Sequence, residues 1–372
     1  MAAKRVSVLK ETRGGERRVI VTPPDLIAFR DAGFDILVEG GAGHGAGRDD
    51  AEYEAYGATI VSTDEAWTGS DYVVKYKAPG VEEWPRLRPG MHIAAAMHAE
   101  GNAELVSALV ASGATAYAYE FFQAPNGIYP LAVPDSETSG KLAVLYGAYH
   151  LQSHLGGRGV LLASTPGVKP PRVLVIGHGN VGGAAARTAV ALGAEVVVLG
   201  TNRERLRRFQ GSLPMATCLL NSREVLAREL PTVDLVVGAI LISTYDTEPM
   251  LDESLVRTMQ PGSMIVDVTV GYGAGYLPTF DRRTTHEDPV YVRHGVLHCK
   301  IDPLPASVPV SASQAVGGLT TPYLIDLGRA VYGERFDPTS WAGRIVADGQ
   351  VVHPELERHI AMRAAGLGGI QG

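Results

Sequence analysis

The chain has 372 residues with 45% hydrophobic and 20% charged side chains, a balance that excludes disorder and is long enough for two domains, each with its own core. A formal charge of −7 argues against nucleic acid or an anionic membrane as the main partner. Cys218 and Cys299, the two cysteines, are far apart with no metal-ligand spacing, so they are expected to be buried free thiols in a reducing cytoplasm, with no metal site.

In chain order, Arg5–Lys10 has a strand pattern, which leaves no room for a signal peptide, and a polar loop 11–18 follows. Thr22 is placed to cap a helix that starts at Pro23 and stops near Gly33. Asp35–Glu39 reads as a strand, and the Gly-rich run 40–47 reads as a loop, because no apolar helix opens on it. A helix is expected around Asp50–Tyr56. Strands are expected at Asp71–Lys77, His92–Met97 and Thr115–Tyr119, with a helix at Glu104–Ala111 between the last two. Five strands alternating with helices make a doubly wound α/β domain. A long helix is expected from Ser136 to about His154.

The segment Arg172–Arg208 carries the strongest local signal. A β-branched run, Arg172–Ile176, leads into Gly177-His178-Gly179-Asn180-Val181-Gly182, a complete G-x-G-x-x-G. Apolar residues at helical spacing follow, then a second strand at Glu195–Leu199. Gly177 permits the tight turn, Gly179 lets a pyrophosphate approach the backbone, and Gly182 lets helix and strand pack closely. With strand, loop, helix and strand in register, the stretch predicts a Rossmann dinucleotide site. Further strands are expected at Val233–Val237, Met264–Val268 and Val296–Cys299.

The second strand ends at Gly200, where an NAD enzyme usually has Asp or Glu to hold the ribose 2′-hydroxyl. Gly200 removes that carboxylate, and Thr201, Asn202 and Arg203 can surround a 2′-phosphate, which predicts NADP(H) over NAD(H). Lys77 and His98 each fall at the carboxyl end of a separate expected strand, where open α/β sheets bind ligands. There a lysine can hold a carboxylate or polarise a carbonyl, and a histidine can shuttle a proton near neutrality. Arg18 or its neighbour Arg17 is a candidate carboxylate clamp, and spacing does not choose between them.

Over nearly its full length the chain resembles the alanine dehydrogenase and pyridine nucleotide transhydrogenase family. The matching segments are KETRGGERRVIVTP, VVKYKAPG, AMHAE, YEFFQAPNGIYPLAVPDSETSGKLAVLYGAYHL, GGRGVLLASTPGVKPPRVLVIGHGNVG, DLVVGAILI, PGSMIVDV and LPASVP. The resemblance implies two doubly wound domains, with the NAD(P)-binding domain (131–308) inserted into a discontinuous substrate domain (1–130 and 309–372), and a cleft that closes around substrate and cofactor. It places the substrate-carboxylate arginine on Arg18, the substrate-polarising lysine on Lys77 and the catalytic histidine on His98. Ser136, Ile240 and Leu241 fall on positions that approach the cofactor. A homo-oligomer is implied, and so is an oxidoreductase acting on the C–N bond of an amino acid or imine.

The chain departs from the family at a catalytic aspartate, expected four residues after Asp267 and replaced here by Gly271. The stretch IDPLP resembles the saccharopine dehydrogenase branch, which leaves a saccharopine- or opine-type dehydrogenase as the alternative. A transhydrogenase-like nucleotide-binding module without catalysis is the alternative of another class.

Overall fold

The computed structural model describes residues 4–240, 251–269, 277–335 and 337–365. They form two compact units, one from the described residues up to Asp135 and from Ala306 onward, the other from Ser136 to Pro305. The first unit opens with six strands: β1 (Lys4–Val8), β2 (Phe34–Glu39), β3 (Thr59–Val61), β4 (Tyr72–Lys77), β5 (His92–Ala96) and β6 (Thr115–Ala118). The second unit holds β7 (Arg172–Ile176), β8 (Glu195–Gly200), β9 (Thr217–Leu220), β10 (Leu235–Gly238), β11 (Met264–Asp267), β12 (Tyr291–Arg293) and β13 (Val296–Cys299). The chain then returns to the first unit for β14 (Arg344–Ala347) and β15 (Gln350–Val351). Mixed α/β architecture with two largely parallel sheets is therefore observed, and the first unit is discontinuous in sequence.

The first sheet runs β15-β14-β6-β5-β4-β1-β2-β3, parallel from β6 to β3, with β14 antiparallel to β6 and β15 antiparallel to β14. The second runs β12-β13-β11-β10-β7-β8-β9, parallel except for β12. Each sheet reverses its winding direction once, between β1 and β4 in the first and between β7 and β10 in the second. Such reversals open a crevice beyond the carboxyl ends of the strands.

Burial on both faces explains why these strands read as apolar runs. On β4, Tyr72, Val74 and Tyr76 join the core that holds Phe29 and Leu324, while Val73 joins the opposite core with Ile93 and Leu105. The helix Pro309–Val331 places Leu324 and Leu327 in the first of these cores. In the second unit Leu174, Ile176, Val197, Leu199, Val236 and Ile265 pack together.

Several local expectations shift. Thr22 starts a 3₁₀ turn, Pro23–Asp25, and the helix proper is Leu26–Asp31. The Asp25 carboxylate accepts from the Thr22 backbone N–H at 2.7 Å, which closes the turn. The long helix is Val133–His150, with a separate 3₁₀ turn at Ser153–Leu155. The sequence reading passed over β3, β9, β12, β14 and β15, short strands that lie at or next to a sheet edge. Cys218 is half-buried on β9, and Cys299 is buried on β13. The glycine run 40–47 is a packing loop: a Cβ on Gly43 would fall 2.5 Å from the Tyr53 ring, and one on Gly45 2.4 Å from the Arg17 carbonyl. Among the described residues no helix is long and apolar enough to cross a membrane.

Candidate functional site

In the first unit the candidate side chains gather at the β1/β4/β5 end of the sheet. Lys77 is the last residue of β4 and is buried; half-buried His98 follows β5 by two residues. Lys77 Nζ and His98 Nε2 stand 3.3 Å apart. With a protonated lysine, Nε2 must be the nitrogen that carries the lone pair. His98 has φ +45, a left-handed conformation that costs a non-glycine residue and persists only where its surroundings hold it.

The group that holds it is Glu120. Its Oε1 accepts from the His98 backbone N–H at 2.5 Å, and its Oε2 accepts from that of Met97 at 3.2 Å. Burial pushes the Glu120 carboxyl up, with repulsion from Glu100 adding to it, while the His98 amide and the Lys77 charge pull the other way.

A second carboxylate serves β4 in the same manner. Glu11 Oε1 accepts from the backbone N–H of Tyr76 at 2.7 Å and of Lys77 at 3.3 Å, while Oε2 takes Lys75 Nζ at 3.2 Å. Burial raises the Glu11 carboxyl to about 7 against the pull of Lys75. Each strand end that presents a candidate side chain is thus clasped through its backbone by a glutamate.

Arg18 is the arginine the structure brings inward, with a side chain of 0% exposure. Its Nε and Nη2 donate to the two oxygens of Glu16 at 2.7 and 2.6 Å. Nη1 donates to Tyr76 Oη at 3.0 Å and to Asp135 Oδ1 at 2.8 Å, and the guanidinium lies over the Tyr76 ring at 4.1 Å. Burial works to lower its pKa, but the groups around it, Tyr76, Asp135 and Glu16, carry it above the ordinary value. Glu16 is opposed by its own burial yet held below the usual carboxylate range by Arg18, with Lys77 contributing. The open clamp expected from the sequence is therefore a filled one: Glu16, fully buried, takes the Nε–Nη2 edge, and Asp135, whose side chain is 32% exposed, takes Nη1.

Glu11, Glu16, Tyr76, Glu120 and Asp135 were missed by sequence reasoning. All five stand inside the matching segments, but nothing in their spacing marks them as partners of the candidate side chains.

In the second unit the glycine loop has the geometry its motif demands. Gly177 has φ +101, open to glycine at little cost, and a Cβ there would meet the Ala239 carbonyl at 2.2 Å and Ile240 Cγ2 at 3.1 Å. A Cβ on Gly182 would lie 2.0 Å from the Gly177 carbonyl, so strand and helix close up only over a glycine. Gly179 is exposed and has nothing within 4 Å of its Cβ position. It caps the helix Asn180–Ala191 with no side-chain hydrogen bond, leaving the N–H groups of the first turn, Asn180 and Val181 among them, for an anion. A cradle with open space at Gly179 and closed space at Gly177 and Gly182 fits a dinucleotide pyrophosphate.

Ile240 borders Gly177. Ser136 sits one turn before Gly140, whose Cβ would fall 2.1 Å from the Val181 carbonyl, so its helix runs close to the loop. Leu241 and Gly271 lie outside the described residues. At the end of β8, Thr201 and Arg203 are exposed. Asn202, also exposed, caps the helix Arg203–Ser212: its Oδ1 accepts from the Arg205 backbone N–H at 2.9 Å.

Comparison with known proteins agrees with this geometry. The alanine dehydrogenase/PNT N-terminal domain family matches residues 7–137 and its C-terminal domain counterpart matches residues 143–354. An alanine dehydrogenase of Geobacillus stearothermophilus is 36% identical over 354 residues, covering 94% of each chain. An alanine dehydrogenase of Mycobacterium tuberculosis is 37% identical over 329 residues, covering 87% of each chain. A solved L-alanine dehydrogenase superposes with a TM-score of 0.89 at 34% identity, over 96% of this chain and 99% of that one. With both domain families matched and relatives aligned almost end to end, the chain belongs to the alanine dehydrogenase/PNT family.

Proposed function

We propose that the chain is a pyridine-nucleotide-dependent oxidoreductase that acts on the C–N bond of an amino acid or its imine. The observation that carries this reading is the Lys77–His98 pair, 3.3 Å apart at the ends of adjacent parallel strands, in a chain aligned end to end with amino-acid dehydrogenases. The nucleotide, when bound on the glycine loop, exchanges a hydride with the carbon of that bond. Lys77 polarises the substrate oxygen, and His98 gives or takes a proton at Nε2. Arg18 anchors the substrate carboxylate from its Nη1 edge, where half-exposed Asp135 now sits. The relatives do not favour the saccharopine- or opine-type alternative, or a module without catalysis.

The preferred nucleotide is NADP(H). In support, β8 ends in Gly200 with no carboxylate to repel a 2′-phosphate, and Arg203 follows within three residues. A soluble cytoplasmic homo-oligomer completes the reading, and sedimentation of the purified protein checks its assembly.

Gly271 shapes the choice of substrate. A residue without a side chain stands where the family resemblance expects a carboxylate, and this favours a larger amine, or an imine already formed, over ammonia. Asp302, the obvious substitute, is already ion-paired with Arg283 at 3.3 Å. The test is a screen of 2-oxo acids and cyclic imines against ammonia, amines and diamines, with each nucleotide. Pyruvate plus ammonia is expected to be at least about 10²-fold poorer than the best pair, about 2.7 kcal/mol in the transition state. Efficient alanine formation would remove the role given to Gly271, and silence with every pair would remove the activity.

A further inference from the structure

We propose that His178 is a specificity-determining residue of the cofactor site, its imidazole taking the 2′-phosphate of an NADP-type nucleotide together with the guanidinium groups of Arg203 and Arg205. The proposal rests on the NADP preference set out above. It assigns that preference to a residue of the glycine loop itself, where the motif asks for no particular side chain.

The geometry begins at Gly200. A Cβ placed there would lie 2.6 Å from both Nδ1 and Cε1 of His178, so the imidazole fills the space into which a strand-end aspartate would project. The ring meets Phe209 edge-on, with centroids 5.8 Å apart at 61°. Phe209 reaches it across Gly183, whose Cβ position lies 3.3 Å from the phenyl ring. Loop, β8 and the helix Arg203–Ser212 thus fix the imidazole where an acidic residue would otherwise select for a ribose hydroxyl.

Among the described residues neither ring nitrogen of His178 has a hydrogen-bond partner. Likewise no carboxylate pairs with the exposed side chains of Arg203 and Arg205. These are donors without acceptors at the place where a 2′-phosphate brings three acceptor oxygens. Asn202 caps the helix through its Oδ1, which leaves its exposed Nδ2 donors at the same strand end.

The charge that acts on the ring comes from the helix Arg203–Ser212, and the Arg187 guanidinium of the helix Asn180–Ala191 lies against Gly183 beside Phe209. The helix Arg203–Ser212 supplies Arg205, which acts on the imidazole directly, along with Arg203 and the acidic Glu204 in its first turn. β8 ends in Gly200, and the loop residues Gly177, Gly179 and Asn180 do not titrate. Burial first, and then Arg205, hold His178 below its ordinary pKa, so it is neutral at neutral pH in the free protein. A phosphate dianion beside it reverses the sign, and binding then takes up a proton. Affinity for a 2′-phosphate therefore rises as pH falls, and levels off below the pKa of the free protein.

The test measures binding of adenosine 2′,5′-bisphosphate and of 5′-AMP by calorimetry, at about pH 6 and about pH 8, on either side of an ordinary imidazole pKa. It uses the full chain as wild type, His178→Ala and His178→Gln. Wild type should prefer the bisphosphate, and His178→Ala should lose about ten- to a hundredfold of that preference, the worth of one hydrogen bond to a charged group. 5′-AMP affinity should stay unchanged, which reports an intact loop. His178→Gln, which cannot titrate, should lose the part of the pH slope that exceeds the phosphate's own. A bisphosphate preference and pH slope preserved in both variants would overturn the proposal while leaving the NADP reading in place. Should wild type bind 5′-AMP as tightly as the bisphosphate, the NADP reading itself fails.

Discussion

The two units build their sites by opposite means. In the second unit the site is made by leaving side chains out: Gly177 and Gly182 close a turn that any Cβ would block, and Gly179 leaves open space for a ligand. In the first unit it is made by packing charge in. Arg18, Lys77 and His98 are held by Glu16, Glu11 and Glu120, the first two with side chains at or near full burial and the third half-buried. A glycine cradle binds whatever brings a pyrophosphate and carries little information about chemistry. A buried charge network is costly to assemble, and it fixes each functional group's position. The contrast predicts that damage to the first unit falls on turnover, and damage to the loop on nucleotide affinity.

A large effect is expected at Lys77. Replacing it with methionine removes the charge while keeping most of the side chain's length, and on the proposed role should cost about 10²–10³ in kcat. Nucleotide affinity, measured by fluorescence titration, should be unchanged. Loss of nucleotide binding instead would erase the division of labour between the units.

Next comes pH-dependent stability. Glu11 sits at about 7 in the folded chain, against an ordinary 4.5. A raised carboxyl binds its proton more tightly when folded, so its contribution is fully present below the unfolded pKa and is lost as pH rises through about 7. The shift corresponds to about 3 kcal/mol. Denaturant unfolding of Glu11→Gln between mildly acidic and mildly alkaline pH should show a flatter profile than wild type. Parallel profiles would mean that Glu11 is not held as described.

Two glycine substitutions sharpen the other side of the comparison. Gly182→Ala forces a methyl against the Gly177 carbonyl and should destabilise the chain by about 1–3 kcal/mol even without nucleotide. Gly179→Ala meets nothing in the protein, so its melting temperature should hold while nucleotide affinity falls. Equal thermal shifts in both variants would contradict the cradle.

The smallest effect is expected at Glu120→Gln. The amide still offers one acceptor but faces the second backbone N–H with a donor, so the left-handed turn at His98 loosens. Turnover should fall about tenfold, the worth of one net hydrogen bond to a charged group, with a shifted pH–rate profile and unchanged nucleotide affinity. A drop in stability with an unmoved pH profile would make Glu120 structural only.

The contrast between the units also explains what could be read from sequence. The glycine cradle is contiguous, and each of its glycines answers a local steric demand, so the motif, strand and helix were legible together. Both doubly wound sheets followed from apolar runs in alternation. The missed strands are short: β3 has three residues and β15 two, and they carry little periodic signal. Lys77 and His98 were visible because each falls at a strand end, where open α/β sheets bind ligands, but their partners were not. Glu11 and Glu120 are 109 positions apart, the difference of their numbers, and become equivalent only when β4 and β5 lie side by side. Arg18 was identified through the family's pattern, while its engagement by Glu16 and Asp135 was not, since ion pairing has no signature in residue order. At Gly200 the sequence showed a missing carboxylate, and the structure shows the His178 imidazole 2.6 Å from the Cβ position there.

The central claim is that the first unit supplies the proton and the second holds the nucleotide, and His98→Ala tests it most directly. Turnover with the best substrate pair and the nucleotide dissociation constant are measured on the same preparation. Turnover should fall by about 10²–10⁴ while the dissociation constant stays at the wild-type value. Turnover near wild type, or a nucleotide affinity that falls with it, would contradict the account.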